Sequence, residues 1–171
     1  NFSELILEIP NDAGQHRILQ KLKDFCHNEA HFWNHLGRHH IYVMRSKYDE
    51  AEKCLTRAIE LDSKNDVHYH ALGMVYRFEI KKQLDALIIQ SVTAELGLNK
   101  IRELLNKAEV CFGKARELDP ETEYGYITHI QLLIEIIERL FRLSGFENYK
   151  QFLTNTELVA TWCRDKLPWA E

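Results

Sequence analysis

Histidine is the titratable residue this chain overuses. There are nine, and five of them fall between His27 and His40. His31, His35 and His39 recur at i, i+4 and i+8, a spacing that keeps them near one side of a helix. Two histidines one turn apart can share a zinc ion. The outer two would lie about 12 Å apart at 1.5 Å rise per residue, so all three cannot reach one ion. The helix offers no Cys, Asp or Glu at a matching position, and no HExxH occurs. The preferred reading is structural or surface histidine; a metal site and a pH-sensitive contact stand behind it. Other chemistry is poorly supplied. Ser and Thr are scattered without a Gly-x-Ser-x-Gly elbow. The carboxylates Glu117 and Asp119 belong to a repeated surface pattern, and no Gly-x-x-x-x-Gly-Lys is present to cradle a phosphate chain. No cofactor or metal is expected, and the segment is read as non-catalytic.

The elements that would carry these residues are written twice. Ala51-Glu-Lys-Cys-Leu-Thr-Arg-Ala-Ile-Glu-Leu-Asp62 returns as Ala108-Glu-Val-Cys-Phe-Gly-Lys-Ala-Arg-Glu-Leu-Asp119. Ala51, Leu55 and Ala58, and again Ala108, Phe112 and Ala115, mark one buried helix stripe. Trp33-Asn-His-Leu36-Gly37 precedes the first copy, and Tyr69-His-Ala-Leu72-Gly73 the second. Glycine within a helix costs about 1 kcal/mol relative to alanine, which is tolerable where a neighbouring helix must come close. Self-similarity at this period is the signature of a helical solenoid.

Order along the chain follows. Residues 3–9 read as a helix end, and about Gln15–His27 as a second helix. A first unit spans 30–65, with its second helix at roughly Asp49–Leu61. The second unit spans 66–122 and is stretched. Gly73 to Ala108 takes 35 positions where Gly37 to Ala51 takes 14. Leu84, Leu87 and Ile88 prolong one helix and Ile101, Leu104 and Leu105 begin the other early. This predicts a projecting helical hairpin over about 77–100 with its tip near Thr93–Asn99. A degenerate third unit fills 123–171. Pro120 is placed in the first turn of its long helix, Gly145 caps that helix, and Thr154-Asn-Thr-Glu157 opens a last one.

Composition narrows the partners. A net charge of −4 (22 Lys and Arg against 26 Asp and Glu) gives no basic footprint for nucleic acid. Four cysteines without a CxxC pair read as small core hydrophobes in a reducing, cytoplasmic setting. No apolar run approaches membrane-spanning length. The chain starts at Asn1 rather than Met, already within Leu5-Ile6-Leu7-Ile9, and is read as a piece of a longer protein.

Trp33, Leu36, Gly37, Ala51, Leu55, Ala58 and Ser63, then Tyr69, Leu72, Gly73, Tyr76, Ala108, Phe112, Ala115 and Pro120, resemble the tetratricopeptide repeat. His40 stands where Tyr is usual, and the first turn holds two extra residues. The resemblance implies an all-α superhelix of about seven or eight helices, forming one domain over 1–171. It also implies that the first helix of each unit lines a concave face. The contact positions carried over are Asn34, Arg38 and Tyr42, then His70, Met74, Arg77 and Phe78, then Ile127 and Gln131. Such a surface implies a peptide or protein partner, with Arg38 and Arg77 on carboxylates. Phe78 and Met74 could instead only pack beneath the stretched hairpin. His70 and Met74 replace the Lys and Asn of the clamp that holds chaperone tails, which disfavours that partner. Ala30-His-Phe-Trp-Asn-His-Leu-Gly-Arg-His39 with the stretched unit also resembles repeat regions of large multidomain defence proteins with signalling-type nucleotide-binding domains, including the sterile-alpha-motif antiviral group. The alternatives are RNA binding, as in some interferon-induced members of the repeat family, and a structural or oligomerisation arm serving other domains of a parent chain.

Overall fold

The structure is a computed structural model that describes residues 9, 11–45, 47–90 and 95–155. Among these residues it holds seven helices and no strand. They are α1 (Asp12–Leu22), α2 (Ala30–Tyr42), α3 (Tyr48–Leu61), α4 (Asp66–Gln90), α5 (Glu95–Leu118), α6 (Tyr124–Ser144) and α7 (Tyr149–Asn155). From α2 onward each helix packs on the next, and α2 meets α4 as α4 meets α6. Short connections between neighbours give helical hairpins set side by side.

The duplicated segments become the inner stripes of α3 and α5. Ala51, Cys54, Leu55 and Ala58 are buried, as are Ala108, Cys111, Phe112 and Ala115. Each stripe faces the glycine of its own hairpin. A methyl group on Gly37 would lie 2.6 Å from Leu55 Cγ, and one on Gly73 would lie 2.5 Å from Phe112 Cε1. Leu36 and Leu72 beside those glycines are buried. The closing aspartates also act alike. Asp62 Oδ1 accepts from Lys64 N and Asp119 Oδ1 from Glu121 N, both at 3.3 Å, so each ties the turn that follows its helix.

The stretched unit differs from expectation. α4 runs unbroken to Gln90 and α5 starts at Glu95, so Asn99 lies inside a helix rather than at a tip. The hairpin does not stand free. Ile80, Leu84, Ile101, Leu104 and Leu105 join Leu132, Leu133, Ile136 and Leu140 of α6 in the main core cluster, which Phe152 of α7 completes. Two ion pairs fasten the same seam: Arg77 with Glu135 at 2.7 Å and Arg139 with Asp85 at 2.8 Å.

Other expectations shift at element ends. α1 begins at Asp12, where Asn11 Oδ1 accepts from Gly14 N at 2.6 Å, and it ends at Leu22. Pro120 sits in the turn before α6 rather than in its first helical turn. Gly145 ends α6 at φ 72°, the left-handed conformation glycine adopts without strain. Thr154 lies within α7, its hydroxyl donating back to Lys150 O at 2.8 Å, and the rest of the expected cap, Thr156 and Glu157, lies outside the described residues. The helix expected at 3–9 and the one with Leu158 and Trp162 lie outside the described residues, apart from Ile9.

Candidate functional site

The resemblance carries nine contact positions onto three helices: Asn34, Arg38 and Tyr42 on α2, His70, Met74, Arg77 and Phe78 on α4, and Ile127 and Gln131 on α6. The structure divides them. Arg38, Tyr42 and His70 line one cavity of about 250 Å³, with Asp66, Val67 and Ala71 of α4. Its far wall comes from the end of α5 and the turn into α6: Ala115, Arg116, Asp119, Thr122, Tyr124 and Gly125. Arg38 is exposed, its guanidinium 6.0 Å from the centre of the Tyr42 ring. Tyr42 in turn meets Phe78 edge-on at 5.7 Å, so the cavity continues into an aromatic step.

Five of the nine make contacts within the chain itself. Asn34 is 6% exposed, and its Nδ2 donates to His68 Nδ1 at 2.9 Å, so it fastens α2 to α4. Arg77 gives both arms of its fork to Glu135 (2.7 and 3.2 Å) and a third bond to Gln131 Oε1 at 3.0 Å. A guanidinium held this way already has a carboxylate of its own chain, so a partner carboxylate would have to compete with Glu135 for it. Burial pushes the Glu135 carboxyl up, but Arg77, Lys81 and Arg139 outweigh it and hold the group below its usual range. Met74 and Phe78 are half-buried against the main core, so packing accounts for much of both.

His70 is held neutral-leaning for physical reasons. Burial lowers its pKa, the charges of Arg38 and Arg77 add to that, and Asp66 opposes. Its Nε2 lies 3.0 Å from Thr128 Oγ1, which fixes the ring against α6.

Sequence reasoning missed Arg116 and Tyr124. Arg116 stands where the first copy has Ile59, one of the positions at which the duplicated segments disagree. Ile59 packs on the core, whereas Arg116 donates to Gly125 O at 3.1 Å and to His129 Nδ1 at 3.2 Å. It therefore braces the cavity wall. Tyr124 is 71% exposed, and Ile127, Ile130 and Ile134 follow it at spacings of three and four along one side of α6. They form a row of exposed apolar side chains on that helix.

The histidine row is split. His31 meets the His68 ring of α4 edge-on at 5.9 Å, while His39 is buried and stacks on His16 of α1 at 5.6 Å. No three His, Cys, Asp or Glu among the described residues are arranged to hold a metal ion. The buried thiols are inert: burial pushes Cys54 up to about 11 against the opposing charge of Lys23, and pushes Cys111 up to about 12 with help from Glu52. No helix among the described residues is long and apolar enough to cross a membrane. No protein-family model matches this sequence, and no curated protein matches it.

Proposed function

We propose that the chain is a tetratricopeptide-like interaction module without catalytic activity, which binds a protein partner by inserting an apolar side chain between α2, α4 and the α5–α6 turn. The cavity bordered by exposed Arg38, Tyr42 and Tyr124 carries this reading. Its lining mixes apolar or aromatic residues (Tyr42, Val67, Ala71, Ala115, Tyr124) with charged ones (Arg38, Asp66, Arg116, Asp119), which suits an anchor residue flanked by a charge. Among the described residues no carboxylate pairs with Arg38, unlike Arg77, so it sets register on an acidic residue next to the anchor. The isoleucine row on α6 extends the surface beyond the cavity.

Binding is tested with peptides that place an acidic residue beside Leu or Phe, measured by fluorescence polarisation. Arg38→Glu should weaken the best binder at least tenfold, and Tyr42→Ala by a similar factor. Undiminished binding by both variants would remove the proposal. The exposed side of α6 favours a second reading, in which that row packs on a further helical element or a second copy. Light scattering separates the two: a dimer that Ile130→Lys with Ile134→Lys makes monomeric would support the second.

A further inference from the structure

A second cavity, about 490 Å³, opens on the other flank and shares no residue with the groove. α1 gives it His16, Gln20 and, just past its end, Lys23; α2 gives Trp33 and His40; Lys47 and α3 give the rest. Four of its residues are cationic (Lys23, Lys47, Lys53 and Arg57) against one carboxylate, Glu50, in a chain whose net charge is −4. Like charges gathered around one cleft repel each other, and an anion within it relieves that repulsion.

The cations are largely unspent. Among the described residues no carboxylate lies within ion-pair distance of Lys23, Lys47 or Lys53, and Arg57 makes an exposed pair with Glu60 of its own helix. Lys23 lies over the Trp33 ring at 5.5 Å. The inner wall is unfinished in the same sense. His40 is 2% exposed, and its Nδ1 has no hydrogen-bond partner; the buried Nδ1 of His16 lacks one too. A buried polar nitrogen left without a partner costs about 1–3 kcal/mol, and a bound acceptor oxygen would supply that partner.

We propose that this cleft binds a small phosphorylated anion, its phosphates held by Lys23, Lys47, Lys53 and Arg57 and reached from within by His40. Lysines on flexible stems suit a phosphate group, which takes charge from several directions. The volume falls within the range of small-ligand sites, large enough for more than a bare phosphate, and Trp33 offers a flat apolar wall for the remainder. Bringing an anion next to His40 would also oppose the Lys47 charge and raise the pKa of that ring, strengthening its bond to the phosphate.

Isothermal titration with pyrophosphate and with ATP tests the site. Saturable 1:1 binding of pyrophosphate is expected. Lys47→Glu with Lys53→Glu should weaken it at least tenfold. Lys64→Glu with Lys150→Glu, an equal charge change on exposed residues that do not line the cleft, should leave it within twofold. Equal affinities for the two ligands would assign recognition to the phosphates alone; tighter ATP would add the Trp33 wall. In the pyrophosphate complex the His40 ring resonance should titrate at higher pH than in the free protein. No saturable heat with pyrophosphate, or equal loss in both double variants, would overturn the proposal.

Discussion

At Gly73 there is no room for a methyl group, because Phe112 is fully buried and cannot yield. Overpacking of this kind costs about 1–3 kcal/mol, while alanine gains about 1 kcal/mol in helix preference. The steric term wins. Gly73→Ala should therefore lower the urea midpoint, and adding Phe112→Leu should restore part of the loss. A midpoint that rises would refute the close approach. The same scale explains the repeated Glu. Glu52 accepts from Tyr76 Oη at 2.7 Å and from Lys107 Nζ at 3.1 Å, joining three helices, and Glu109 lies 3.8 Å from His129 of the next helix. Identity at this position was visible in the sequence, but its partners were not, since Tyr76 and His129 are fixed only by how the hairpins stack.

α1 is the element whose attachment depends on pH. It buries Leu19 with Phe32, Leu36 and Cys54, and beside that cluster His16 packs on His39 and His40 at 5.6 and 5.4 Å. Burial lowers all three histidines, His40 to about 4, and the repulsion of Lys47 for His16 and His40 adds to this. Asp12 opposes the shift at His39 and Glu50 at His40, while His35 reinforces it at His39. Folded values below the unfolded value of about 6.5 mean that this stability is fully present above that pH. It is lost as pH falls through the folded values, because the unfolded chain binds the protons first. Hydrogen exchange at pH 7.5 and pH 5 should show α1 amides losing more protection than those of α5, which carries no histidine. Equal loss in the two would contradict the assignment. Periodicity made α2 to α6 legible, since apolar stripes and a duplicated segment are local facts. The start of α1 and the start of α6 were misplaced because capping by Asn11 and the turn held by Asp119 compete with propensity there.

The whole molecule is not a uniform row of hairpins. The stretched unit was legible as two prolonged helices, yet not as part of the core, because Leu132 of α6 lies 31 residues past Ile101 and 48 past Leu84, and only the fold brings them into one cluster. Leu84→Ala and Ile101→Ala should each cost about 2–5 kcal/mol, the range for fully buried aliphatics. A free-standing hairpin would give near-neutral values in urea titration. The candidate groove was half legible: the helix faces were in the pattern, but the internal claim of Glu135 on Arg77 was not.

Unequal clusters give the array a direction. Tension applied from the α7 side must break α4, α5 and α6 together, because they share one interior fastened by two ion pairs. Among the described residues, tension from the α1 side first meets a small cluster around four buried residues, so α1 detaches before the main core is reached, like the first teeth of a zip. A ligand bridging α1 and α3 would act as the stop on that zip.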